Sequence, residues 1–249
     1  MNTETTTHYN GTVTLEFDPQ KHKYLLNGEK VNGVTTVLQR LNKPALIYWA
    51  ANMAAKHIEA TLRPGISLDE VEIKQLAKDA LWAHRNTRDG AADMGTWVHQ
   101  FIQDFVEGKN PQEAVNPQLS KATKSFKDWY KTINVKNQDC EKRLCSPTLK
   151  LAGTVDMICE LDGKLTIIDW KTGSGIYPEM LLQMAAYALM YEEEFGQTVE
   201  QVGVVNCSVK APFKYYFTDK LEILKELYTQ LLVLDRGLYE LETITKGEL

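Results

Sequence analysis

Asp156, Asp169 and Lys171 are the residues whose types and spacing suit hydrolytic chemistry on a phosphoryl group. Leu161-Asp162-Gly163-Lys164 lies between two apolar runs, and Asp-Gly in that setting predicts a two-residue type I′ hairpin. With Asp162 and Gly163 as the central pair, counting outward places Asp156 directly opposite Asp169. That position is non-hydrogen-bonded, where Cα atoms approach to about 4.5 Å. Two carboxylates facing each other destabilise a sheet. Their neighbours Val155, Met157, Ile167, Ile168 and Trp170 are apolar, so water relieves the repulsion only in part. A hard divalent cation, Mg²⁺ or Mn²⁺, removes it, because such ions take carboxylate oxygens together with water and phosphate. Lys171 lies two residues beyond Asp169 and leaves the same face of the strand. A cation there needs an anion to serve, and a scissile phosphate with its attacking hydroxide provides one. Lys171 would orient or deprotonate water and balance charge in the transition state. Asp-x-Lys alone is equally the polar side of an edge strand; the opposing Asp156 and the register are what point to a site.

The elements that must position these residues follow from periodicity and turn chemistry. Short strands are expected at Val13 to Phe17 and Tyr24 to Leu26, separated by Asp18-Pro19 and followed by Asn27-Gly28. Thr35 or Thr36 is a candidate helix cap. Helices are expected over about Pro44 to Leu62, Leu68 to Arg88, Ala91 to Glu107 and Gln118 to Ile133, with Gly90 breaking the second from the third. Arg143 to Glu160 and Leu165 to Lys171 read as strands. A Gly-rich loop (Gly173-Ser174-Gly175) leads to a helix from Pro178 to Phe195. Two further strands, Val202 to Val209 and Phe213 to Phe217, precede a last helix from Lys220 to Leu241. The pattern is a mixed α/β (α+β) chain read as a single domain over 1–249, helical over about 30–135, with an α/β core over about 136–220 and a C-terminal helix over about 220–249.

Composition bounds the rest. With 43% hydrophobic and 24% charged residues and a formal charge of −5, the chain is an ordinary globular one, and any basic surface for a polyanion has to be local. Cys140, Cys145, Cys159 and Cys207 form no CxxC pair, so free thiols in a reducing compartment are expected. No apolar run approaches membrane-spanning length, and Met1 to Asn10 lacks the features of a signal or transit peptide. The expectation is a cytoplasmic protein with no membrane partner. His8, His22, His57 and His84 have no local context and are read as surface residues. In the helix from Gln118, Lys121, Lys124, Lys127 and Lys131 lie opposite an apolar face; such a stripe is a solvated face or, beside a nucleic acid, a phosphate track.

The order His99, Glu141, Asp156, Asp169-Trp170-Lys171 and Gln183-x-x-x-Tyr187 resembles the RecB-like branch of the PD-(D/E)xK nuclease superfamily. That pattern is G-x-x-x-H on a helix, an upstream Glu, G-x-x-D, D/E-x-K and Q-x-x-x-Y. The likeness is nearest to the mitochondrial genome maintenance exonuclease type and its phage and bacterial relatives. It also takes in Val34-Thr35-Thr36-Val37-Leu38 and Ile168-Asp169-Trp170-Lys171-Thr172 and covers residues 30–190. The resemblance implies a restriction-endonuclease-like core, a small mixed sheet flanked by helices, behind a helical N-terminal portion. It implies a metal-dependent DNA exonuclease working from ends, on single-stranded or end-processed DNA, in phage or bacterial recombination, repair or replication. The metal is one or two Mg²⁺ or Mn²⁺ ions; DNA is the partner, with a single-strand-annealing or other recombination protein as a further one. By the same resemblance Asp156 and Asp169 bind the metal with the Trp170 carbonyl. His99 completes or tunes that shell, and Glu141 contributes to it through water or a second ion. Lys171 serves the attacking water. Gln183 and Tyr187 contact DNA backbone or steady the site, and Lys124 and Lys131 are the candidate phosphate contacts. A branch with an Fe–S cluster needs a cysteine in the N-terminal half and a trio near the C-terminus. None precedes Cys140 and none follows Cys207, so no cluster is expected. The alternatives are a catalytically inactive DNA-binding or scaffolding protein on the same fold, and a structure-specific endonuclease.

Overall fold

Turn residues build the first part of the sheet. In the computed structural model, which describes residues 3–41 and 43–246 apart from the side chains of 86, 87 and 89, four strands run β1 (Glu4–His8), β2 (Val13–Asp18), β3 (Lys23–Leu26) and β4 (Glu29–Gly33). Each pairs antiparallel with the next. Asn27 and Gly28 both have positive φ (50° and 83°), as the two-residue turn between β3 and β4 requires. The Asn27 side chain also accepts the Thr14 N–H at 2.8 Å.

The strands that carry the candidate site are β5 (Val135–Ser146), β6 (Leu151–Leu161), β7 (Lys164–Lys171), β8 (Gln201–Asn206) and β9 (Lys214–Thr218). The sheet order is β1-β2-β3-β4-β6-β7-β8-β9, with β5 along the other edge of β6. β7 and β8 are parallel, joined by a crossover helix α5 (Pro178–Phe195). That helix starts on Pro178 and ends at Gly196, whose φ of 66° provides the left-handed stop. Met184, Ala185, Ala188 and Met190 of α5 pack on Val155, Ile167, Val202 and Val204 of the sheet. A helix α4 (Pro117–Tyr130) uses Asn116 as its cap and sets Phe126 edge-on to Trp170, with ring centroids 5.5 Å apart. A short helix α1 (Val34–Leu38) follows β4, and α6 (Leu221–Lys246) follows β9.

The chain divides into two compact units, Met1–Leu41 with Val98–Leu249, and Asn42–Trp97. The second unit holds α2 (Pro44–Thr61) and the greater part of α3 (Glu70–Val106). Ala80 is its one buried hydrophobic among the described residues, and Trp49 meets His84 edge-on at 6.2 Å.

Several local expectations are corrected. Gly90 does not break a helix: α3 is continuous over 37 residues, because one interior glycine costs only about 1 kcal/mol relative to alanine. Gly33, not Thr35 or Thr36, is the N-cap of α1, and it makes no side-chain bond. The expected strand from Arg143 to Glu160 is two strands separated by a turn over 147–150, where Lys150 takes a φ of 42°. Among the described residues the sheet has nine strands, since the polar N-terminal segment adds an edge. His8 is buried, not superficial: its Nδ1 lies 3.0 Å from both carboxylate oxygens of Glu194 on α5. All four cysteines are free. Among the described residues no helix is long and apolar enough to cross a membrane.

Candidate active site

The hairpin turn sets the geometry. Asp162 and Gly163 both have positive φ (52° and 85°), and the β6–β7 register runs from Leu161↔Lys164 to Met157↔Ile168. Asp156 and Asp169 are the next residues outward, one step beyond the last paired residues. There β6 parts from β7; further along, its Leu151 and Ala152 pair with β4 instead. The fork frees backbone groups that a ladder would have used. The Asp156 carboxylate fills one such vacancy, accepting the Trp170 N–H at 2.7 Å. On the far side of β6 the register Cys140↔Met157 and Lys142↔Val155 leaves Glu141 facing Asp156, with an unusual φ of 50°. Three adjacent strands therefore bring Glu141, Asp156 and Asp169 to one level.

Such a row is electrostatically strained. Burial, and then the charge of Asp169, hold the Asp156 carboxyl well above the usual carboxylate range, only partly offset by Lys171 and the Trp170 N–H. Glu141 keeps an exposed edge, yet loss of solvent and then the Asp169 charge raise it too. Burial works against the Lys171 ammonium, but Asp169 and Asp156 outweigh it and raise its pKa; Lys171 is therefore a cation here. It forms an ion pair with Asp169 Oδ2, a contact of charges that lacks aligned hydrogen-bond geometry, and its Nζ donates to Gln183 Oε1 at 3.1 Å.

The support behind Lys171 runs through α5. Gln183 Nε2 donates to Tyr187 Oη at 3.0 Å, which their i, i+4 spacing on one helix face permits. The Tyr187 ring lies against Gly153 of β6, where an added Cβ would come within 2.8 Å of Tyr187 Cε1. The glycine is thus the place where the ring reaches the strand. His99, on the part of α3 within the first unit, has Nδ1 at 3.8 Å from Asp156 Oδ2. Burial lowers its pKa despite Asp169.

Residues 124–244 match the family model of the PD-(D/E)XK nuclease superfamily. The match takes in Glu141, Asp156, Asp169, Lys171, Gln183 and Tyr187 and leaves His99 outside. A mixed sheet flanked by helices is consistent with the fold of that superfamily. The match likens residues 124–244 to nucleases. The PD-(D/E)XK nucleases generally use divalent metals such as Mg²⁺. No curated protein matches the chain. Among solved structures, one titled "Crystal structure of SSO0001" is 16% identical over 39% of this chain, with a TM-score of 0.26. This chain spans 51% of the length of that structure.

The donors present suit a hard divalent cation. Asp156 has a disfavoured buried charge, and Asp169 Oδ2 is buried and lacks an aligned donor. Among the described residues no three His, Cys, Asp or Glu side chains converge tightly enough to hold an ion by themselves. An oxygen set of two carboxylates completed by carbonyl and water is what Mg²⁺ takes. Lys124 and Lys131 are not brought to this cluster: Lys124 pairs with Asp128 on its own helix, and Lys131 is the exposed C-cap of α4. One residue at the site escaped the sequence, Asn206. Its place beside Lys171 depends on the parallel β7–β8 pairing, which no local signal reveals.

Proposed function

We propose that this chain is a Mg²⁺- or Mn²⁺-dependent DNA exonuclease that hydrolyses phosphodiester bonds from ends, with single-stranded or end-processed DNA as its substrate. The observation that carries the reading is the row Glu141, Asp156, Asp169 on three adjacent strands with Lys171 one pleat beyond it. Asp156, Asp169 and the Trp170 carbonyl would hold the metal, and His99 and Glu141 would support its shell. When bound, the ion supplies a polarised phosphoryl oxygen and an acidified water. Lys171, kept protonated by its acidic neighbours, donates to the attacking water and to charge developing on the phosphate. Gln183 aims the ammonium, and Tyr187 anchors Gln183. Lys124 and Lys131 track more distant phosphates. A role in recombination or repair alongside a DNA-annealing protein is the setting this chemistry fits.

End-labelled single- and double-stranded DNA incubated with Mg²⁺, Mn²⁺ or EDTA tests the proposal. Wild type should release labelled nucleotides only with metal, and Lys171→Ala should lose about 10²–10⁴-fold in rate. Cleavage in EDTA, or full activity of Lys171→Ala, would sink the mechanism. Internal cuts without end release would replace exonuclease by endonuclease.

A further inference from the structure

Asn206 ends β8 at the carboxyl end of the parallel β7–β8 pair, in register with Lys171. Residues at one level of a sheet point to one face, so the carboxamide starts about 4.8 Å from the root of the Lys171 side chain. The two strands are fastened at this level by the Cys207 N–H, which donates to the Lys171 carbonyl at 2.6 Å. Asn206 has no exposed surface, and neither its Nδ2 nor its Oδ1 has a hydrogen-bond partner. Leaving a buried polar group unsatisfied costs about 1–3 kcal/mol, and folded chains rarely tolerate it without a use.

Lys171 shows what that use is. Its ammonium stands against Asp169 Oδ2, an oxygen that a divalent ion on Asp169 competes for. An ammonium and a dication repel strongly at one carboxylate oxygen in a poorly solvated place. Displaced from Asp169, the ammonium keeps Gln183 Oε1 as a partner but has three donors to satisfy. The idle oxygen on the same face, one strand away, is Asn206 Oδ1.

We propose that Asn206 is a positioning residue that receives the Lys171 ammonium when Asp169 takes up a divalent cation. This rests on the reading of Asp169 as a metal ligand. Without metal, Lys171 is the internal counter-ion of the acid row and Asn206 waits unpaired. With metal, Gln183 and Asn206 together hold the ammonium beside the row instead of letting it compete for Asp169.

Mn²⁺ binding read by electron paramagnetic resonance tests this independently of cleavage. Asn206→Leu should weaken Mn²⁺ binding and lower kcat by about 10–100-fold each, with KM for DNA little changed. Its melting midpoint in EDTA should equal or exceed that of wild type, because an unsatisfied polar group has been replaced by an apolar one. Asn206→Asp keeps the oxygen acceptor at nearly the same volume; it should hold Mn²⁺ affinity close to wild type, and it carries the test if the leucine variant does not fold. Wild-type Mn²⁺ affinity in Asn206→Leu would assign the carboxamide to an internal water and overturn the proposal. So would an Asn206→Asp chain as impaired as the leucine variant. If wild type binds Mn²⁺ but cleaves no DNA, the nuclease reading falls while the Mn²⁺ affinities still decide this one.

Discussion

Gly153→Ala adds one methyl group to β6 and should damage both stability and activity. The added Cβ would lie 2.8 Å from Tyr187 Cε1 and 3.2 Å from Val34 Cγ2, against about 3.5–4.0 Å for a relaxed carbon pair. At a glycine with ordinary φ and open surroundings, the same change stabilises by about 0.4–1 kcal/mol, because the unfolded chain loses freedom. Here the neighbours cannot yield cheaply. Tyr187 is 3% exposed and Val34 is 1% exposed, and the Tyr187 hydroxyl is tied to Gln183. Overpacking of this kind costs about 1–3 kcal/mol, so the net sign is destabilising. In a chain of this size each kcal/mol lowers the melting midpoint by about 2–4 °C. If the ring swings away it carries Gln183 with it and loosens Lys171, so nuclease kcat should fall by about 10-fold or more. Urea unfolding and single-turnover cleavage measure the two effects. The double change Gly153→Ala/Tyr187→Leu should recover much of the stability and none of the activity. A Gly153→Ala chain as stable as wild type or more so would refute the claim that the glycine exists to admit the ring.

Asp156→Asn keeps an acceptor for the Trp170 N–H and removes a disfavoured charge. The folded-state pKa of Asp156 is raised, so its stabilising contribution is fully present below the unfolded carboxylate pKa and is lost as pH rises through the folded value. In EDTA the variant should therefore gain on wild type between pH 4 and pH 8, by on the order of 1 kcal/mol at the upper end, while losing metal-induced stabilisation; an advantage that shrinks with pH contradicts the sign. Gln183→Leu should cut kcat by about 10-fold or more with little change in KM, since it removes the Gln183 Oε1 acceptor from Lys171; steady-state kinetics decide. His8→Ala takes the imidazole from the Glu194 carboxylate, itself 7% exposed, and leaves it the Tyr9 N–H at 3.3 Å; it should cost on the order of 1 kcal/mol or more in urea unfolding with kcat unaltered. Gly203→Ala would drive a Cβ into the Phe217 ring and should destabilise by about 1–3 kcal/mol, seen as a lower melting midpoint.

Short-range chemistry was readable and long-range pairing was not. Asp162-Gly163 announced its turn because few dipeptides accept two positive φ values, and the turn then fixed the register through Met157↔Ile168. Pro178 and Gly196 bracketed α5 for equally local reasons. Glu4–His8 carries no strand signal because a polar edge strand shows no apolar alternation. His8 has no local sign of burial because its partner Glu194 lies 186 residues away. Asn206 was silent for the same cause: its neighbour in space is Lys171, on the other side of a crossover helix. The departure of β6 from β7 at Asp156 was equally hidden, since register counting assumes a ladder that continues.

Surface turns ordinarily absorb insertions and deletions, yet the two residues at 162–163 are the ruler of this molecule. Adding one residue there would leave composition, charge and helices intact but trade the sides of β7. Ile168 and Trp170 would move to the face now held by Asp169 and Lys171. Insertions should therefore be tolerated better in other connections, such as the turn over 147–150 or the segment between α3 and α4, than in the β6–β7 turn, whose length matters more than its residues.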